Sequence, residues 1–174
     1  MVTSTHTDIL FFTNHGKVHQ LRCYQIPEAG RTAKGTPIVN LLNLNPGEKV
    51  TTAIPMPESI ENWKGKNLVM ATKNGYIKKT KLSEFENIRK NGLIAVILRE
   101  DDELIHVAMT NGKDDIVLGT RKGKAIRFSE TKVRPMGRAT QGVIAMELEE
   151  DDFVVNMGVI TGDKMVLTIT ENGY

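Results

Sequence analysis

Apolar residues along this chain gather into short runs that recur at a nearly fixed distance, each followed by the same four-residue signature. Ile9-Leu10-Phe11-Phe12, Leu68-Val69-Met70, Ile116-Val117-Leu118 and Met165-Val166-Leu167 lead into Thr-x-x-Gly at Thr13 to Gly16, Thr72 to Gly75, Thr120 to Gly123 and Thr170 to Gly173. The signatures are 59, 48 and 50 residues apart, and a self-similar period of that size marks a repeat architecture. A second glycine follows the first three, at Gly35, Gly92 and Gly142, and opens a further apolar run.

Within each period the pattern predicts strands. In the first repeat, 8–13 and 17–22 flank Asn14-His15-Gly16 and read as a β-hairpin. The loop 24–35 is punctuated by Pro27 and Gly30 and carries Arg31 and Lys34. Residues 38–44 then read as a buried strand, Asn45-Pro46-Gly47 as a turn and 49–54 as a fourth strand, before a Pro-rich connector that accounts for the longer first spacing. The second repeat gives 68–72, the Asn74-Gly75 turn, 76–81, a loop to Gly92, 93–98 and 104–109. Its segment 82–89 reads as a helical turn or two with Ser83 as N-cap. The third gives 116–119, the Lys122-Gly123 turn, 124–128, a basic loop to Gly142, 143–148 and 153–160. A fourth starts at Lys164 and stops at its turn, which reads as an interrupted array. The repeats are therefore 7–66, 67–113 and 114–162, with a partial unit at 163–174. Four short strands per unit predict an all-β chain of propeller-like blades, since solenoid rungs are usually shorter.

Composition narrows the setting. With 174 residues and 40% hydrophobic content the chain has enough apolar material for a core. No apolar run approaches the roughly 20 residues of a membrane helix, and MVTSTHTD lacks the basic and apolar regions of a signal segment. The single cysteine, Cys23, excludes an internal disulfide framework and reads as a packing residue. A soluble cytosolic protein fits these features.

Charge changes the picture once it is mapped onto the repeat. Residues 13–35, 72–90 and 120–138 hold 4, 6 and 7 Lys or Arg against 1, 2 and 1 Asp or Glu, a net +13. The remainder holds 6 against 17, a net −11, so a total of +2 hides a basic element alternating with an acidic one. The acidic clusters 100–103 and 147–152 fall between the third and fourth strands and read as solvated turns, without EF-hand spacing.

Catalytic chemistry is hard to assemble from these residues. Of the four histidines only His15 and His19 are close, and the Gly16 turn between them removes the helical geometry of a metal pair. Gly137 to Gly142 has P-loop glycine spacing, but Val143 and Ile144 stand where Lys and Ser or Thr belong. No Gly-x-Ser-x-Gly and no carboxylate pair is evident. The chain is expected to hold no catalytic residues, metal or cofactor of its own.

The basic loops are better matched to phosphate. Arg31, Arg89 and Arg138 lie three or four residues before the second glycine, with Lys34, Lys90 and Arg134 nearby. Repetition places them at equivalent points on successive blades, and a row of cations suits a regularly charged polymer. The candidate contacts are Arg22, Arg31, Lys34, Lys78, Lys79, Arg89, Lys90, Arg121, Lys122, Lys132, Arg134 and Arg138. With aromatics at only 5%, contact to a duplex backbone is favoured over stacking on single-stranded bases.

TDILFFTNHGKVHQLRCYQIPEAGRTAKGTPIVNLL, residues 7–42, resembles the start of the C-terminal domain of the DNA gyrase A protein, and ENIRKNGLIAV and VRPMGRATQGV are similar to its later blades. The resemblance covers essentially the whole chain. It implies a β-pinwheel of six blades, with three and part of a fourth present, whose basic perimeter wraps duplex DNA so that strand passage introduces negative supercoils. By resemblance Arg31, Lys34, Arg89, Lys90, Arg134 and Arg138 belong on that perimeter and Arg22 on the basic return strand, while Gln20 stands where relatives often carry a basic residue. The implied partners are duplex DNA, the rest of the gyrase A protein and the gyrase B protein, which together make a bacterial, cytoplasmic, nucleoid-associated enzyme. That enzyme uses ATP and magnesium in other parts. Its catalytic tyrosine lies in a separate N-terminal region, so Tyr24, Tyr76 and Tyr174 are not assigned that role. A Gln-Arg-Arg-Gly-Gly-rich box is expected upstream of this start. An incomplete last blade would leave a strand edge that invites self-association. The equivalent domain of topoisomerase IV and a propeller-type protein-interaction scaffold are the alternative readings.

Overall fold

A computed structural model describes residues 2–57 and 59–162. The fourth signature and the partial unit at 163–174 lie outside the described residues. The strands, in chain order, are β1 (Asp8–Thr13), β2 (Lys17–Arg22), β3 (Val50–Pro55), β4 (Asn67–Thr72), β5 (Tyr76–Lys81), β6 (Leu93–Ile94), β7 (Leu104–Thr110), β8 (Asp115–Thr120), β9 (Ala125–Ser129), β10 (Val143–Ile144) and β11 (Val154–Ile160). They form three antiparallel sheets, ordered β3-β1-β2-β6, β10-β5-β4-β7 and β11-β8-β9.

Each Thr-x-x-Gly signature closes a hairpin. The amides of Gly16, Gly75 and Gly123 donate to the carbonyls of Thr13, Thr72 and Thr120 at 3.0, 3.2 and 3.1 Å. The threonine side chain adds a second clasp, with Thr72 Oγ1 accepting from Tyr76 N and Thr120 Oγ1 from Lys124 N.

Sheet order corrects one expectation: the third strand of a repeat does not stay in its own blade. β6, from the second repeat, pairs with β2 of the first, and β10, from the third, pairs with β5 of the second. These lent strands are two residues long, where six were expected from the apolar runs. Beyond them the chain hooks onto the preceding hairpin turn. The Gly16 carbonyl accepts the amides of Ala95 and Val96 at 2.8 and 3.1 Å, and the Gly75 carbonyl those of Ala145 and Met146 at 2.9 and 3.3 Å. The glycine is required there, because a Cβ on Gly16 or Gly75 would lie 2.5 Å from the carbonyl oxygen of Val96 or Met146.

The same rule explains residues 38–44. They form no strand; Ile38–Asn40 is a short 3-10 turn, Val39 is 60% exposed and Leu42 is buried. A third strand pairs with the sheet before its own, and no described sheet precedes the first repeat.

β3, β7 and β11 lie side by side on the inner edges of the sheets, with Val107 N donating to Thr52 Oγ1 across β3 and β7. The core fills the spaces between blades. Leu10, Phe12 and Val18 of the first blade meet Leu68, Met70 and Phe85, while Val69, Ala71 and Ile77 face Ile116, Leu118 and Val154. Alternate residues of β4 thus serve two different cores, which is why its run is apolar without alternation. Ile9, Phe11 and Leu42 form a smaller cluster on the far face of the first blade, with Cys23 packed against it.

The acidic turns are more than solvated charge. Asp102 and Asp152 are buried, and their Oδ1 atoms accept the amides of Asn74 and Lys122 at 2.9 and 3.0 Å, fastening the hairpin turns. Glu48 has the corresponding place in the first repeat, accepting Thr13 Oγ1 at 2.7 Å and the Asn45 amide at 2.8 Å.

Candidate nucleic-acid interface

Strand lending decides where the basic loops go. After β5, Leu82–Phe85 makes a 3-10 turn anchored by buried Leu82 and Phe85; its cap position is Lys81, not Ser83. The chain then exposes Arg89 and Lys90 and reaches β2 at Gly92, where a Cβ would lie 2.9 Å from the Val18 carbonyl oxygen. The loop after β9 follows the same course. Met136 N donates to the Lys79 carbonyl at 2.7 Å, and Gly142 (φ +83°) seats against Ile77. The cations of the loops that follow β5 and β9 therefore line the outer edge of the preceding blade and not of their own.

Two pairs of sequence-predicted cations come together this way. Arg22 and Lys90, from the first and second repeats, line one open cleft beside β2, together with His19 and Asp8. Arg22 Nε lies 3.4 Å from Asp8 Oδ1, with most of its side chain in solvent. Arg89 and Arg138, from the second and third repeats, line a second cleft with Glu84, whose Oε2 is 3.9 Å from Arg138 Nε.

Other candidates stand apart. Arg31 and Lys34 are exposed on the loop before residues 38–44, and Lys132 and Arg134 are exposed beside the 3-10 turn Glu130–Lys132. Arg121 and Lys122 occupy the β8–β9 turn, at the opposite end of that hairpin from Lys132. There Lys122 Nζ donates to the Glu150 carbonyl, and the Arg121 guanidinium is 5.7 Å from the Phe153 ring centre.

Lys78 and Lys79 are not surface cations, which corrects their assignment as phosphate contacts. They are 1% and 5% exposed. Lys78 Nζ donates to the carbonyls of Ala95, at 2.6 Å, and Arg138, so one ammonium ties the loops of the second and third repeats together. Lys79 Nζ donates to the Glu130 carbonyl at 2.6 Å and lies 3.7 Å from Glu130 Oε2. Glu130, fully buried, also accepts Thr110 Oγ1 and the amides of Gly112 and Asp114 at 2.8, 2.8 and 3.0 Å.

Sequence reasoning missed this buried polar layer. The signal for it was β4: a strand apolar on both faces needs a partner covered on both faces, and YIKKTK is that partner. Desolvation, with the Arg138 charge adding to it, lowers the Lys78 ammonium from the usual lysine range to about 8. A midpoint near 8 is expected when the Lys78 side chain is followed by NMR, against about 10.4 for exposed lysines. Because the unfolded chain binds more protons between those values, this group makes stability rise with pH across that window.

Antiparallel blades of which the second and third each lend a strand to the blade before, with cationic loops along the lent edge, define a strand-exchanged propeller of the pinwheel class. A family model described as DNA gyrase C-terminal domain, beta-propeller, matches residues 7–55, 66–111 and 114–161, and the chain belongs to that family. It is 47% identical over 176 residues to the DNA gyrase A protein of Haloquadratum walsbyi, covering 99% of this chain and 21% of that protein. It is 56% identical over 142 residues to the DNA gyrase A protein of Clostridium acetobutylicum, covering 82% of this chain and 17% of that one. The chain thus spans about a fifth of the length of these relatives. Among solved structures, the C-terminal domain of DNA topoisomerase IV superposes with TM-score 0.81 at 28% identity, over 92% of this chain and 49% of that one. A DNA gyrase A C-terminal domain gives 0.69 at 25%, over 89% and 48%.

Proposed function

We propose that this chain binds duplex DNA through phosphate contacts along the outer edges of its blades, without reading sequence, and bends the duplex around them. The observation that carries this reading is the pairing of Arg22 with Lys90 and of Arg89 with Arg138 in clefts where neighbouring repeats meet. Cations at successive blade edges match a polymer that repeats its charge, and bending 20–30 base pairs costs roughly 1–6 kcal/mol that such contacts offset. In this reading the chain serves a larger ATP-dependent enzyme that introduces negative supercoils. The remainder of the gyrase A protein and the gyrase B protein are its partners, and chemistry with ATP and magnesium occurs elsewhere in the assembly.

A salt titration with duplexes of unrelated sequence tests it. For about 5 engaged phosphates, log affinity is expected to fall against log salt with a slope near −4.5. Binding that ignores salt, or no binding at low salt, overturns the proposal.

The topoisomerase IV counterpart is a second reading, supported by its TM-score of 0.81 against 0.69 for the gyrase domain. Identity of 47% and 56% to two DNA gyrase A proteins supports the gyrase reading over it. A Gln-Arg-Arg-Gly-Gly-rich box upstream in the longer polypeptide would decide between them. The outer edge of β9 is unpaired among the described residues and is a route to self-association, which sedimentation across a concentration series would reveal.

A further inference from the structure

The cleft that holds Arg89 and Arg138 takes its walls from two repeats. Arg89 and Ile94 belong to the second, Arg138 and Ala139 to the third, and Glu84 lines it as well. Lys78 bonds to the backbone of both walls from inside the protein. Its Nζ donates at 2.6 Å to the carbonyl of Ala95, the residue after Ile94, and also to the carbonyl of Arg138. At 1% exposure Lys78 is out of reach of any phosphate, but it sets how far apart the walls stand. The second-repeat wall is fixed again where the Ala95 amide donates to the Gly16 carbonyl at 2.8 Å. The Arg138 side chain is held far less: its Nε has no hydrogen-bond partner, and Glu84 Oε2 lies 3.9 Å away. Lys78 therefore anchors the backbone from which a loosely held guanidinium extends.

Among the described blades only the second has this anchor. Lys78 stands three residues after Gly75; the residues three after Gly16 and Gly123 are His19, whose ring nitrogens have no hydrogen-bond partner, and Ile126. Few charges surround Lys78. The Arg138 guanidinium disfavours its ammonium, Glu84 favours it, Arg89 lines the same cleft, and the flanking strands β4 and β10 contribute no charged residue. A phosphate in the cleft adds its negative charge to that of Glu84 and holds the Lys78 proton more tightly.

We infer that Lys78 is a positioning residue for a backbone phosphate at this cleft and acts through Arg138. It holds the Arg138 backbone at a set distance from the second-repeat wall, so that Arg138 and Arg89 address the same phosphate. The inference rests on the DNA-binding reading and adds two things that surface cations do not produce: a requirement for a buried side chain, and a dependence on pH. Above the pH at which the unbound chain loses the Lys78 proton, binding has to restore it. Duplex affinity therefore falls as pH rises through that point.

The test compares the intact chain with Lys78→Met, which keeps a long buried side chain but removes the donors and the charge, on a duplex of about 30 base pairs. At pH 7 the variant is expected to bind about tenfold more weakly, with a salt slope shallower by about 0.9, because Arg138 no longer meets its phosphate. Arg138→Gln is expected to give the same loss, and the double variant little more. Between pH 7 and 9 the parent should lose about fivefold in affinity, with a midpoint near 8, and Lys78→Met should flatten that profile. Every other titrating group is common to both proteins. A parent that binds, with a salt slope and pH profile that Lys78→Met leaves unchanged, overturns the inference and leaves the DNA reading intact. A parent that binds no duplex at low salt removes both. If Lys78→Met fails to fold, NMR of the Lys78 side chain in the parent decides: saturating duplex is expected to move its midpoint upward, and an unmoved midpoint overturns the inference.

Discussion

Replacing Glu130 by alanine is expected to cost about 3–5 kcal/mol of folding stability, the range for breaking a buried ion pair by removing one partner. Four donors lose their acceptor at once: Thr110 Oγ1, the Gly112 and Asp114 amides, and the Lys79 ammonium. Lys79 is then a buried charge whose remaining partner is the carbonyl of residue 130. Urea denaturation followed by tryptophan fluorescence and circular dichroism would measure the loss. Pairing Glu130→Gln with Lys79→Met separates the ion pair from the amide contacts. Removing both charges is expected to cost less than the sum of the single changes, with a coupling of about 1–3 kcal/mol. A Glu130→Ala variant within about 1 kcal/mol of the parent would show that water replaces the carboxylate and that the layer is not structural.

The second large effect is expected at Gly75. Its φ of +83° strains any L side chain, and a Cβ there would lie 2.5 Å from the Met146 carbonyl oxygen, so Gly75→Ala both strains the turn and pushes the lent strand away. A cost of about 3 kcal/mol is expected, most of it from losing the joint between the second and third repeats. Gly123 supplies the control: its φ is +85°, but no described atom lies within 4 Å of its would-be Cβ. Gly123→Ala should therefore cost about 1 kcal/mol, the backbone strain alone. Equal losses at the two positions would mean that strand lending adds little to stability.

These two sites mark what was legible in the sequence and what was not. The period, the hairpins and the glycines were readable because local turn chemistry determines them: Thr-x-x-Gly sets the turn whether or not a neighbouring blade exists. The basic loops were readable as loops. Their position was not, because nothing local in residues 82–98 or 130–148 says that the strand they lead to belongs to another sheet. Residues 38–44 fail as a predicted strand for the same reason, since an apolar run becomes a strand only when an edge accepts it. Lys78 and Lys79 fail differently. As residue types they are surface cations by default, and only the pairing of β5 with a strand buried on both faces takes them inside. At the interface, the sequence showed the repetition of Arg31, Arg89 and Arg138. It did not show that Arg89 shares a cleft with Arg138 or Arg22 with Lys90, because those juxtapositions are products of strand exchange.

Strand exchange also sets a timetable for synthesis. The hairpin β1–β2 can close as soon as it emerges, but its sheet is complete only when Leu93 and Ile94 arrive from the following repeat. Likewise β5 waits for Val143 and Ile144. At about 5–20 residues per second, the 72 residues from Arg22 to Ile94 and the 63 from Lys81 to Ile144 keep each new edge unpaired for roughly 3–14 s. A nascent chain therefore always carries one open blade edge at the ribosome, and the array matures one repeat behind translation.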